Sequence, residues 1–375
     1  MRARFQLRQS ADVVPGPVVI LTIANGAGHT RAAEAIAAAV RAAQPAAPPA
    51  LVIDVADYMT PLARLSHVTA YLWLIKHAPG LWDYVDRYQK RRSHTSPEWY
   101  YRHGCRRLFA LARQLQPRAL VATEVGCCEI AALIKRDLSL DAPLVAVNVN
   151  YDSDRAWVQP EVDLYCMATE EARDELFAHG APRERLAAWG VPLPPGLANP
   201  SLFRSHEKAR AKICRWLALD ASKPLLLIAG GSEGMGRIEE IVERLSRLDQ
   251  SDLQLIVLAG RNARLKVRCE QIARRRTGAT LRVMGWTESL PELMRAVDLM
   301  ISKLGNTFDE AVAAELPLVA LEPPPGSERV QYRLLDKWNV GRAVRTIDEM
   351  VEVIVRLLAS PGELAMMRGA HSSQN

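Results

Sequence analysis

The sequence predicts an α/β protein of two doubly wound parallel sheets facing a cleft, one sheet in each half of the chain. Three observations carry this. Apolar runs of strand length alternate with helical patterns along the chain, as in parallel sheets covered by helices on both faces. A Pro/Gly cluster, Trp189-Gly190-Val191-Pro192-Leu193-Pro194-Pro195-Gly196, interrupts the alternation and reads as a hinge. The opening run of each half breaks into a turn of small residues before a helix. At 375 residues the chain is also too long for one ordinary core. The expected domains are 1–195 and 196–375, with the last helix free to cross back.

Composition bounds the setting. An apolar fraction of 49% and a charged fraction of 24% are those of a soluble globular protein. No stretch has the roughly 20 uninterrupted apolar residues of a membrane span, and the basic N-terminus lacks the apolar core of a secretory signal. Six cysteines without a CxxC pair argue against a disulfide framework or zinc site and for a reducing cytosol. A net charge of +6 suits an acidic partner, whether nucleotide, anionic membrane or nucleic acid, and equally suits simple solubility.

In the first half, residues 18–24 (VVILTIA) read as a buried strand. Asn25 to Thr30 form a small-residue turn holding His29, and an alanine-rich helix follows until PAAPP stops it. Further strands are expected at 51–55, 119–123, 143–149 and 163–169. Between 58 and 107 the composition turns aromatic and basic, with Tyr71, Trp73, Trp82 and Tyr88 beside Lys90, Arg91 and Arg92. Helical spacing holds there, broken at Pro79-Gly80. Such helices can lie at a bilayer interface. On pattern alone, core helices with solvated charges are the preferred reading.

In the second half the glycine turn is the central feature. Residues 225–229 (LLLIA) break into Gly230-Gly231-Ser232-Glu233-Gly234-Met235-Gly236 and then a helical pattern. Strand, glycine turn and helix aim backbone N–H groups at an anion. The same turn fits many α/β proteins, since neither a P-loop lysine nor GxGxxG is present. Strands are expected at 253–259, 281–284, 298–302 and 316–321, each followed by a turn on the cleft side. These turns hold Gly260-Arg261-Asn262, Gly285-Trp286-Thr287, Lys303-Leu304-Gly305-Asn306-Thr307, and Pro325 to Glu328 with Gln331. Glu310 falls in the first turn of the helix after Thr307. It could complement the helix dipole or accept two hydrogen bonds from a ribose diol.

With GGSEGMG, IVLAGRN, VMGWTESLPELMRAVDLMISKLG, TFDEA and PPGSERVQ in this order, the second half resembles the C-terminal domain of GT-B glycosyltransferases of the monogalactosyldiacylglycerol synthase type. NGAGHTRAAEAIAAAV, YLWLIKHAPGLWDYVDR, WVQPEVDLYCMATEEARDEL and WGVPLPP resemble that family's first half. Processive diacylglycerol glucosyltransferases and the lipid II-forming N-acetylglucosaminyltransferase share the architecture. The resemblance implies an inverting transfer of a hexose from a UDP-sugar to a membrane lipid, with diacylglycerol expected. It places Gly231, Ser232, Gly234 and Met235, with Gly305, Asn306 and Thr307, along the diphosphate. Trp286 and Thr287 would border the uracil, Glu310 the ribose, and Glu328 and Gln331 the sugar. His29 would sit over the anomeric carbon as base, a role imidazole can fill near neutral pH. No metal or other cofactor is implied. Tyr71, Trp73, Trp82, Lys90, Arg91 and Arg92 fall on the acceptor and membrane side. The implied partners are the UDP-sugar, a lipid acceptor and an anionic membrane surface, with no nucleic acid. The implied location is peripheral, on the cytosolic face.

The chain departs from the family pattern at three places. The KLGNT turn is one residue shorter than the usual GPGT or GGxT form. Thr123-Glu124 stands where Thr-His is common. Val149-Asn150-Tyr151-Asp152 replaces a Thr-Asp-x-Asp run. The alternatives are a non-catalytic relative that binds lipid or nucleotide, and a transferase acting on a polyprenyl lipid or a small aglycone.

Overall fold

A computed structural model describes residues 16–23, 27–78, 80–81, 84, 97–198, 206–248, 252–275, 279–321 and 329–371. Two six-stranded sheets organise them, in the orders β2-β1-β3-β4-β5-β6 and β12-β11-β10-β7-β8-β9. All the strand pairs are parallel. The first sheet comprises β1 (Val18–Thr22), β2 (Leu51–Asp54), β3 (Ala119–Ala122), β4 (Leu144–Asn148), β5 (Leu164–Met167) and β6 (Leu186–Ala188). The second comprises β7 (Leu225–Ala229), β8 (Gln254–Leu258), β9 (Thr280–Met284), β10 (Leu299–Ser302), β11 (Leu318–Leu321) and β12 (Gly341–Val344). The doubly wound, two-domain architecture expected from the sequence is therefore the observed one.

Each sheet reverses its winding once, between β1 and β3 in the first and between β7 and β10 in the second. Chains diverge at such switch points, which opens a crevice at the carboxyl ends of the strands. The helix that carries His29, where the sequence predicts a turn over Asn25 to Thr30, follows β1; the glycine turn follows β7, and KLGNT follows β10. His29, the glycine turn and KLGNT thus lie at the two switch points, while Trp286 and Thr287 follow the edge strand β9.

Burial explains the register. In β7 all five residues are buried. Leu225, Leu227 and Ala229 enter one core with Phe308 and Leu335, while Leu226 and Ile228 enter the other with Val242 and Ile354. This period of two, with both faces covered, is why the run is uninterruptedly apolar. In the first domain Val19 and Leu21 pack beneath the Val125–Asp137 helix. Val18 and Ile20 meet Ala32, Ala33 and Ala37 of the Ala27–Ala43 helix. The Pro361–His371 helix stays on the second sheet, where Met367 is buried in its core.

Two strands escaped the sequence reading. β6 has three residues, all half-buried, at the sheet edge, and β12 reads GRAV, with only its first and last residues buried. Neither offers the apolar run by which the other strands announce themselves.

Candidate active site

His29 lies in the first turn of the Ala27–Ala43 helix. Its Nδ1 is 2.7 Å from the Thr123 carbonyl at the end of β3, and Thr123 Oγ1 donates back to the His29 carbonyl at 3.2 Å. A carbonyl only accepts, so Nδ1 carries the proton and, in the neutral ring, Nε2 keeps its lone pair. This is the tautomer a base needs. Glu124, one of the departures, is occupied structurally: it caps the Val125–Asp137 helix by accepting from the Cys127 N–H at 3.0 Å.

The glycine turn is held by its own backbone. Met235 N–H donates to Gly230 O at 2.9 Å, and Gly231, Gly234 and Gly236 all have positive φ. A side chain at Gly230 would drive a Cβ to 1.9 Å from Met235 O, so that close approach requires glycine. The helix begins only at Ile238, after Arg237 in a left-handed conformation with φ of 58°. The turn folds instead onto the loop after β8, where Arg261 N–H donates to Ser232 O at 2.7 Å.

From there the donor-side residues link in a chain. The Arg261 guanidinium lies 4.6 Å from the Trp286 ring centroid, and that of Arg31 approaches the same ring at 5.5 Å. Arg31 Nη1 donates to Glu310 Oε1 at 2.6 Å, joining the helix of His29 to the opposite domain. Gln331 Nε2 donates to Gly305 O at 3.3 Å, and a Cβ at Gly236 would stand 3.4 Å from that of Lys303. Gly231, Ser232, Gly234, Met235, Trp286, Thr287, Gly305, Thr307, Glu310 and Gln331 therefore belong to loops and a helix start that meet at one place. Asn306 opens the Asn306–Ala313 helix by its backbone. Glu328 lies outside the described residues.

Glu310 opens the second turn of that helix, and its carboxylate turns to Arg31 instead of to the helix N-terminus. The residue is only 3% exposed. Burial pushes its carboxyl up, and the Arg31 guanidinium pulls it back. Glu310 Oε2, Asp309 Oδ2, Gln331 Oε1 and Thr30 Oγ1 are buried without a hydrogen-bond partner. Buried polar atoms rarely stay unsatisfied. Those of Glu310, Gln331 and Thr30, on segments that meet here, suit a ligand rich in hydroxyl and N–H donors.

Sequence reasoning missed Arg31, Arg261, Asp309 and Tyr151. Tyr151, part of another departure, crosses from the first domain into the second. Its ring meets Phe308 edge-on, centroids 5.7 Å apart, and its hydroxyl donates to Asp309 Oδ1. Phe308 stacks on Trp338 behind it at 5.6 Å. Asp309 is half-buried there, and burial pushes its carboxyl up to about 7. No local pattern marks Arg31, Tyr151 and Asp309, whose partners lie more than 150 positions away.

The acceptor side divides the aromatics. The segment from Pro61 to His77 is helical, with one π-turn over Leu65–Thr69. Tyr101 is core, donating to buried Glu129 at 2.8 Å. Trp73 at 58%, Trp99 at 70% and Leu62 at 76% exposure face solvent, as do Leu65, Leu81 and Tyr84. The core reading preferred from pattern fails for Trp73. Tyr71 lies on the Ala70–His77 helix. Trp82, Lys90, Arg91 and Arg92 lie outside the described residues. Among the described residues no helix is long and apolar enough to cross a membrane, and no group of three His, Cys, Asp or Glu residues is placed to hold a metal ion.

Comparison with known proteins matches the two halves of the chain to two families. Residues 29–193 match the monogalactosyldiacylglycerol (MGDG) synthase family, and residues 225–369 match the glycosyltransferase family 28 C-terminal domain. A processive diacylglycerol β-glucosyltransferase of Bacillus mycoides is 26% identical over 366 residues, 95% of this chain and 89% of that protein. Among solved structures, MurG of Acinetobacter baumannii superposes with a TM-score of 0.59 at 16% identity, covering 95% of each chain. Anabaena HepE, in complex with UDP and glucose, superposes at 0.56 with 12% identity, covering 96% of this chain and 94% of its own. These likenesses establish the GT-B fold.

Proposed function

We propose that this chain, a glycosyltransferase pairing an MGDG synthase-type N-terminal domain with a family 28 C-terminal domain, moves a hexose from a UDP-sugar to diacylglycerol, inverting the anomeric centre. The observation that carries this is Glu310: a buried carboxylate with one unpartnered oxygen, in a crevice opposite the helix of His29. A ribose diol supplies the two O–H donors such a carboxylate accepts. The neighbouring Trp286 offers a face for a base, and the amides of the glycine turn offer donors for a diphosphate. The similarity to named diacylglycerol glucosyltransferases supports the acceptor class.

In this reading the acceptor hydroxyl gives its proton to His29 Nε2 as its oxygen attacks the anomeric carbon. The bond from that carbon to the diphosphate breaks, and UDP departs with the electron pair. Held by Thr123, the imidazole needs no reorientation to take the proton. Lys303 and the glycine-turn amides stabilise the leaving charge. Gln331, and Glu328 beyond the described residues, address the sugar.

The acceptor reaches the cleft from a membrane surface. The support is the shelf of Leu62, Leu65, Trp73 and Trp99, exposed apolar groups on two helices that touch. Large exposed rings of this kind sit well at headgroup depth. The chain would then act as a peripheral protein on the cytosolic face.

The test is transfer from UDP-glucose, UDP-galactose and UDP-N-acetylglucosamine to diacylglycerol in anionic vesicles, with the lipid product identified. Glycosyl-diacylglycerol is expected, and UDP-glucose is the first donor to try. UDP binding without transfer to any lipid would make the chain a binding relative, and transfer only to a soluble aglycone would remove the membrane from the reading.

A further inference from the structure

Arg31 stands where the nucleotide is expected to bind. It lies two residues past His29 on the same helix, yet its guanidinium crosses the cleft to Glu310 Oε1 and to the face of Trp286. Its side chain keeps 25% exposure while that of Glu310 keeps 4%, so the arginine is the partner with room to move into the cleft. Four rotatable bonds separate its fork from the backbone. Three facts constrain what it does when a ligand enters.

First, a diol needs both carboxylate oxygens, and Arg31 holds one of them while the other, Oε2, has no partner. Second, hydroxyl groups are neutral, so a ribose that takes Glu310 leaves a buried carboxylate whose charge still requires a cation within Coulomb range. Arg31 can cede the contact but cannot leave the site. Third, Arg31 and Arg261 flank the same indole ring, and Arg261 is tied through its backbone to Ser232 in the glycine turn. Displaced from Glu310, the Arg31 fork is free to meet an anion that the ligand brings, and a diphosphate matches its bidentate geometry.

We propose that Arg31 is an exchangeable donor-site residue, which holds Glu310 until a nucleoside ribose takes that carboxylate and then pairs with the diphosphate of the same ligand. The inference rests on the UDP-sugar reading above and deepens it. Arg31 makes the His29 helix a party to donor binding, so the base is drawn against the sugar when the diphosphate is in place. A nucleoside without phosphates displaces the arginine and gives it nothing in return.

Calorimetric titration with uridine and with UDP tests this on wild type, Arg31→Gln and Arg31→Lys, each checked by a melting curve. Uridine, which brings no anion for the arginine to meet, should lose at most a few-fold in affinity for Arg31→Gln, the share due to Glu310 losing its counter-charge. UDP should bind Arg31→Gln at least ten-fold more weakly, so the preference for UDP over uridine collapses. Arg31→Lys keeps the charge without the fork and should recover part of that preference, which holds the test open if the glutamine variant folds poorly. A parallel loss of uridine and UDP affinity would overturn the proposal, since Arg31 would then only prop Glu310 in place. Unchanged UDP affinity in both variants would overturn it as well. Wild type that binds neither ligand would instead bring down the donor reading itself.

Discussion

Both sheets are six-stranded, parallel and doubly wound, with different strand orders, and they treat the loops at their carboxyl ends in different ways. In the second domain those loops lock together. The glycine turn bonds to the loop after β8, that loop's arginine covers Trp286, and Gln331 ties down Gly305. In the first domain the switch point carries a polar clasp, His29 with Thr123. Beyond it the chain presents an exposed apolar shelf. The contrast fits two kinds of ligand. A nucleotide arrives by diffusion and is gripped by prepaid geometry, so its site is dense in oriented polar groups. Under the proposed function a lipid arrives in its own solvent, and the acceptor half would need one well-held base and a surface the bilayer accepts.

Removing the clasp's chemistry should give the largest effect. His29→Ala is expected to lower turnover by roughly 100- to 10,000-fold if the imidazole is the general base. UDP affinity should stay near wild type, because His29 belongs to the other half. Turnover within a few-fold of wild type would reduce the histidine to a structural link between helix and strand.

On the donor side, Glu310→Ala should cost UDP binding about 1.5–3 kcal/mol, the worth of hydrogen bonds to a charged group. It also strands Arg31, so the variant should lose stability. Calorimetry beside a melting curve reads both. Intact UDP affinity would remove Glu310 from the ribose position and dissolve the proposed contrast between the halves.

The contrast is legible in sequence to different depths. Buried strands such as β7 and β8 show as apolar runs because both faces are covered. Glycines at 230 and 234 show because backbone geometry demands them. What joins the halves does not show. Arg31 is one arginine in an alanine-rich helix, and Tyr151 one tyrosine in a loop. Their roles come from partners 279 and 158 positions away. The aromatic segment was ambiguous for a related reason: Tyr101 and Trp99 stand two residues apart, one buried and one exposed. Helical spacing assigns them to different faces without saying which face meets protein.

The seam between the halves should respond to pH through Asp309. Burial is the main cause that lifts its carboxyl to about 7; the charge of Glu310 adds to this, and the Tyr151 hydrogen bond opposes it. The folded protein therefore holds this proton over a range, from about pH 4 to 7, where the unfolded chain releases it. Its contribution to stability falls as pH rises through that window. Asp309→Asn keeps an acceptor for the Tyr151 hydroxyl and does not ionise. The melting temperature of the variant relative to wild type should rise between pH 5 and 8. Parallel curves would show that the seam tolerates the charge.

The smallest expected effect sharpens the acceptor side. Leu62 and Trp99 are more than two-thirds exposed, so truncating them forfeits little packing, and melting temperatures should barely move. If the shelf rests on lipid, each ring or chain that enters the interface contributes apolar burial there, about 1 kcal/mol for part of a large side chain. Trp99→Ala and Leu62→Ala should each then lower partition onto vesicles several-fold. This loss should persist on neutral vesicles and at high salt, because apolar burial is unscreened. Tyr101→Phe, which leaves the shelf intact and removes a buried hydrogen bond to Glu129, should do the reverse and cost stability without changing partition. Co-sedimentation of the three variants beside their melting curves separates the two behaviours. Partition unchanged in the exposed variants would turn the shelf from a lipid surface into ordinary solvent-facing side chains. The acceptor would then have to reach His29 through water, as the nucleotide does.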